Sequence, residues 1–185
     1  MTWTLDRAWF AGLCEPELPA FAAPFLLPLW GEHWTVATDG FMVALLRGEH
    51  GYRMRPEVPK PARIERVFDP LPREAAMTLA RMRDWAEASW SRTDADGAVL
   101  GILGGAAVDR ERLARLLRGL EDGPVRVVGG GRREAICLYG ESWRAAIMPL
   151  IIGVPRDKEH VAEADADWDA AFLYPRLDVP LRSQG

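Results

Sequence analysis

The spacing of apolar positions changes several times along the chain, and each change marks an element. Residues 2–5 alternate in a short β-like run. Asp6 then stands where a helix N-cap belongs, because its carboxylate can accept the first free backbone N–H groups. Residues 6–14 put Trp9, Phe10, Leu13 and Cys14 on one face at a 3.6 period, and Pro16 and Pro19 stop that helix. Three strands are predicted at 25–30, 33–38 and 41–46. Gly31-Glu32 forms the first turn between them and Asp39-Gly40 the second; Asp-Gly between apolar runs is a strong hairpin signal. Prolines 56, 59, 61, 70 and 72 make residues 47–72 loop-like, with 63–68 as a candidate edge strand. Residues 73–90 predict a helix, since Ala75, Leu79, Met82, Ala86 and Trp90 fall within an arc of about 80°. A turn at 93–97 leads to one predicted strand at 98–108, bulged at its glycines. Asp109 caps a second helix reaching about residue 120, with Leu113, Leu116, Leu117 and Leu120 on one face. Strands at 125–128, 134–139 and 143–150 follow, and beyond residue 152 the pattern fades.

Two segments read alike. Leu5-Asp6-Arg7-Ala8-Trp9-Phe10 matches Val108-Asp109-Arg110-Glu111-Arg112-Leu113, with an aliphatic residue, a capping Asp-Arg pair and apolar residues at the same helical offsets. Each helix is preceded by a predicted strand and followed by three. The expected fold is therefore α+β, built from two β-α-β-β-β units with pseudo-two-fold symmetry. The half-repeats span about 2–68 and 98–150, a helical insertion about 69–97, all within one domain over 1–152. Residues 153–185 are expected as a C-terminal tail packed on the surface.

Composition narrows the function classes. In 185 residues, 49% hydrophobic and 27% charged is a globular balance. A net charge of −4 argues against a broadly basic nucleic-acid binder and leaves room for a local basic face. Cys14 and Cys137 are the two cysteines, each in an apolar run, so they read as buried thiols and not a disulfide framework. The start lacks a signal-peptide pattern and no apolar run is long enough to span a bilayer, so a cytoplasmic protein with no membrane partner is expected. Gly129-Gly130-Gly131-Arg132-Arg133 lacks the Lys-Ser/Thr ending of a phosphate loop and reads as a hairpin turn. Asp94 and Asp96 lack the glutamate that a calcium loop requires, and His160, Glu163, Asp165, Asp167 and Asp169 read as an acidic surface. His33 and His50 have no Ser or Cys partner in a recognisable motif. No catalytic residue, metal or cofactor is therefore assigned. The alternative is a small enzyme with a pocket between the insertion helix and the tail, using acids among Glu74, Asp84, Asp165 and Asp167.

Trp34-Thr35-Val36-Ala37-Thr38-Asp39-Gly40 resembles the Ala-Thr-Asp-Gly turn of the bacterial DNA polymerase III beta subunit, the DNA sliding clamp. Ala146-Ile147-Met148-Pro149-Leu150 resembles that family's closing strand, which ends in Met-Pro, and residues 108–120 resemble its strand-to-helix segment. The resemblance covers about one clamp domain, where the family has three. It implies a clamp-like domain with sheets outside and helices inside, and a non-enzymatic role binding duplex DNA, polymerase or repair proteins, and further copies of itself.

Two sets of site residues follow from the resemblance. Clamp helices face DNA phosphates with basic side chains, and the matching positions are Arg110, Arg112, Arg115 and Arg118. Glu111 and Asp122 lie four residues from Arg115 and Arg118 and offer ordinary helix pairing instead. The first helix carries only Arg7 on its outer face. Partner peptides in the family enter a cleft lined by the Thr-Asp-Gly turn and the Met-Pro strand. The matching residues are Thr38, Gly40, Phe41, Met42 and Val43, with Met148, Pro149 and Leu150. Phe41-Met42 replaces the family's His-Arg, and the family draws the two elements from adjacent domains. The third reading is an interaction module without the ring.

Overall fold

The computed structural model describes residues 3–55, 58, 60–68, 73–87, 100–103, 106–129 and 135–149. Three antiparallel strands, β1 (Phe25–Leu29), β2 (Glu32–Thr38) and β3 (Met42–Arg47), follow the short helix α1 (Arg7–Ala11). Helix α2 (Pro61–Val67), strand β4 (Arg73–Thr78) and helix α3 (Leu79–Glu87) come next. Strands β5 (Leu100–Leu103) and β6 (Ala106–Asp109) lead into helix α4 (Arg110–Leu117). Strands β7 (Pro124–Gly129), β8 (Ile136–Tyr139) and β9 (Trp143–Ile147) close the described chain.

One seven-stranded antiparallel sheet runs β1-β2-β3-β9-β8-β7-β4, and β5 and β6 form a separate ribbon. The first six strands read the same from either end when β1, β2 and β3 exchange with β7, β8 and β9. The seam is β3 against β9, which pairs Met42 with Ile147, Ala44 with Ala145 and Leu46 with Trp143. The helices repeat as well. Asp6 accepts from the N–H of Ala8 and Trp9 at 2.9 and 3.1 Å, and Asp109 from that of Arg112 at 3.0 Å. Phe10 and Leu113 hold matching positions one turn on, and both are fully buried. The expected α+β architecture of paired units is what the chain adopts.

Burial on both faces explains the apolar run of β3. One face carries α1, α3 and α4, where Phe10, Met82, Leu113 and Leu116, with Leu13 just past α1, pack against Ala44, Val127, Leu138 and Ala145. Trp9 joins the two capped helices, since its indole N–H donates to the Arg115 carbonyl at 2.7 Å. The other face packs Phe25, Trp34, Val36 and Leu45 under Ile64 of α2 and Phe68. Each such fully buried Leu or Phe contributes about 1.5–3 kcal/mol.

Four local expectations are corrected. Residues 3–5 form no strand, so α1 has no leading strand among the described residues. The candidate edge strand at 63–68 is helix α2, started by Pro61, whose fixed φ suits a first turn. The predicted helix at 73–90 begins as β4, whose backbone pairs with β7 from Arg73–Gly129 to Thr78–Pro124, and turns helical only at Leu79. The predicted bulged strand at 98–108 is the β5–β6 ribbon, pairing Leu103 with Ala106. Trp90, residues 93–97, 130–134 and the tail at 153–185 lie outside the described residues.

Candidate functional site

The turn between β2 and β3 is built by side chains and not by a two-residue hairpin. Thr38 pairs with Val43, so residues 39–42 form the loop. The Thr38 hydroxyl donates to the Met42 carbonyl at 2.6 Å and accepts from the Gly40 N–H at 3.0 Å. Asp39 Oδ1 accepts from the N–H groups of Phe41 and Met42, both at 2.8 Å. Gly40 sits at φ 90, and a Cβ there would meet the Phe21 ring at 3.4 Å. With its polar groups turned inward, the loop presents Phe41 outward, 58% exposed.

The chain leaves β9 beside this turn. The Met148 N–H donates to the Phe41 carbonyl at 2.7 Å, and the Met148 side chain is 42% exposed. Between turn, strand end and α2 lies an apolar groove of about 250 Å³. Its lining includes Thr38, Gly40, Phe41, Met42, Val43 and Met148, six of the eight residues expected at a partner site, brought together within one chain. Pro149 is half-buried and outside the lining, and Leu150 lies outside the described residues. Phe21, Arg63, Ile64, Val67 and Ala146 complete the walls. Those from α2 escaped sequence reasoning because a proline-rich stretch hid the helix.

Helix α4 meets the same turn from the other side. Asp39 is buried at 5% exposure, and its Oδ2 takes Arg115 at 2.9 Å and Arg112 Nε at 3.3 Å. The Arg112 guanidinium also lies over the Phe41 ring, 4.8 Å from its centroid. Two of the four arginines expected to face DNA are thus engaged by the turn. Arg118 is exposed and makes no ion pair among the described residues, and the side chain of Arg110 lies outside them. The helix pairings differ from expectation too, because Arg115 turns to Asp39 and Asp122 pairs with Arg83 on α3. Asp39 is the organising residue that the sequence showed only as a turn former.

Other chemistry is sparse among the described residues. Cys14 and Cys137 are buried, and burial pushes both thiols up, Cys137 to about 12, so they stay protonated and unreactive. No group of three His, Cys, Asp or Glu side chains is placed to hold a metal. No described helix is long and apolar enough to cross a membrane. Of the acids considered for an enzyme, Asp84 is exposed on α3, and Asp165 and Asp167 lie outside the described residues.

No protein-family model matches the sequence, and a search of curated proteins gives no match. Solved structures do match in fold. The DNA polymerase sliding clamp from Pseudomonas aeruginosa with ligand aligns at TM-score 0.52 and 12% identity, over 77% of this chain and 61% of that one. The DnaN sliding clamp (DNA polymerase III subunit beta) from the same organism, bound to griselimycin, aligns at TM-score 0.50 and 14% identity, over 83% and 63%. This chain therefore spans about three fifths of the length of the clamp chains it matches. At such identities the likeness is one of fold, and that fold is clamp-like.

Proposed function

We propose that this chain is a non-enzymatic, sliding-clamp-like binding protein that seats a peptide of a replication or repair partner in the groove between the β2–β3 turn, the end of β9 and α2. The observation that carries the reading is the groove itself: an apolar cleft with Phe41 and Met148 exposed at its lip. Exposed Met and Phe beside aliphatic walls suit apolar anchors on an extended segment, since Met adapts to varied shapes. Arg63 on the wall adds one cation for an acidic or carbonyl group of the peptide. Non-specific duplex contact through α4 is the weaker half of the proposal. Arg118 faces solvent, but Asp39 already neutralises part of the charge of Arg112 and Arg115.

Selection of a displayed random-peptide library on the whole chain should enrich sequences with two or more Leu, Ile, Met or Phe anchors. Met148→Glu should weaken the enriched peptides by at least about tenfold. Its melting temperature should stay near that of the parent, because the side chain is already partly in solvent. Enrichment of peptides without apolar anchors, or affinity untouched by both Met148→Glu and Phe41→Glu, would remove the proposal.

A further inference from the structure

At the opposite strand ends, on the sheet face that carries α2, cations and aromatic rings alternate. Cross-strand pairs set Arg126 beside Tyr139, Tyr139 beside Arg144, and Trp34 beside Arg47. The guanidinium carbons lie over their neighbours' rings: Arg126 over Tyr139 at 4.6 Å, Arg144 over Trp34 at 5.1 Å, and Arg47 over Trp34 at 5.6 Å. Above them sits Trp30, with Arg144 stacked 3.9 Å from its ring centroid.

Trp30 is the unexpected member. It occupies the first position of the two-residue β1–β2 turn, with Trp30 at φ 50 and Gly31 at φ 81. A positive φ there favours Asn or Gly, and a bulky side chain is strained. The surroundings hold it in place nonetheless. Its N–H donates to Glu65 at 2.8 Å, and its ring meets Trp34 and Phe68 edge-on at 5.7 and 5.8 Å. The outcome is a tryptophan fixed in orientation yet 39% exposed.

The charges around it are uneven. Arg144 has no carboxylate within ion-pair distance among the described residues, and burial lowers its pKa. Of the acids nearby, Glu32 pairs with Arg47 at 3.2 Å with both side chains half in solvent, a weak contact, and Glu65 is taken up by the Trp30 backbone. Glu49 lies against His33. A guanidinium stacked on a ring still directs its N–H edges sideways, which suits phosphate oxygens.

We propose that this end of the sheet face carrying α2 binds single-stranded nucleic acid, with Trp30 stacking a base and the edges of Arg144 and its neighbouring arginines taking phosphates. A single strand supplies both an anion and an uncovered aromatic face, whereas a duplex keeps its base faces stacked inside. The proposal goes beyond the peptide groove and uses none of its residues. Base stacking on such platforms is tolerant of sequence and sensitive to salt.

The test is fluorescence anisotropy of a labelled oligothymidylate titrated with the full chain at low salt, with tryptophan quenching read in parallel. Saturable binding with quenching is expected for the parent chain. Trp30→Asn suits the turn, so the fold persists, and it should weaken binding by about fivefold or more. Arg144→Gln should weaken it similarly, and Trp30→Phe should retain most of it. Three results would overturn the proposal: no saturable binding at low salt, equal binding by Trp30→Asn and Arg144→Gln, or competition by duplex or dextran sulfate as strong as that by the single strand. Loss of peptide capture by Met148→Glu with oligonucleotide binding intact would separate the two surfaces.

Discussion

At Asp39, one carboxylate holds a turn, a groove and a helix in register. Two backbone N–H groups on one oxygen and two guanidinium groups on the other exhaust its accepting capacity. Removing it would leave two N–H groups of a tight loop without an acceptor and two cations without a counter-charge. Asp39→Ala should therefore lower stability by about 2–3 kcal/mol. The ion pairs add little to that figure, because 44% of the Arg115 side chain is in solvent. Urea unfolding followed by circular dichroism would show the loss as a lower midpoint at unchanged slope. A midpoint within experimental scatter of the parent would mean that solvent replaces the carboxylate without penalty. Thr38, Gly40, Phe41 and Met148, which form the turn and the lip, were named through the resemblance to two short clamp-family words, and such words are legible because each is contiguous in the chain. What joins Asp39 to α4 is not local, since Arg115 lies 76 residues away and no periodicity records so distant a partner.

Among the elements, α4 shows how one side chain closes a helix end. Arg83 on α3 donates to the Leu117 carbonyl at 2.9 Å and to the Leu120 carbonyl at 2.6 Å. The first belongs to the last residue of α4 and otherwise accepts only the long contact from the Leu120 N–H at 3.4 Å, and the second lies in the turn just beyond the helix. Its salt bridge to Asp122 involves a mostly exposed carboxylate and adds little. Arg83→Met keeps the apolar stem and removes the donors, so a loss of about 1–3 kcal/mol is expected. Arg83→Lys should restore less than half of it, because a single ammonium does not span two carbonyls as a planar fork does. Guanidinium denaturation of the three proteins is the check, and equal midpoints would show that water caps the helix just as well. Elements whose signal is local were readable from the sequence: both Asp caps, the strands from 25 to 46, and the strands after Gly123. Those that failed share a cause. At 73–78 small and apolar residues suit a helix in isolation, and only the free edge of β7 makes them a strand. At 61–67 prolines suggested a loop, yet proline at a first helical position is an ordinary start.

For the whole molecule, the open edge of β1 decides whether copies of the sheet can join there. Residues 26, 28 and 30 direct their backbone nitrogens away from β2. The Leu26 N–H already donates to the Arg53 carbonyl at 3.0 Å, and the Trp30 N–H to Glu65 at 2.8 Å. Between them Pro28 has no N–H at all. The edge therefore offers an incoming strand no free donor, which is how natural sheets prevent edge-to-edge pairing. A ring of copies joined through β1 is disfavoured on this ground. Light scattering on the full chain at micromolar concentrations should give the mass of one copy. Pro28→Val restores one outward donor and raises β propensity in the middle of an apolar strand, so it should shift the mass upward with concentration. A parent chain that already forms oligomers, with amide exchange slowed on association at residues 25–30, would show that the edge pairs despite its missing donor.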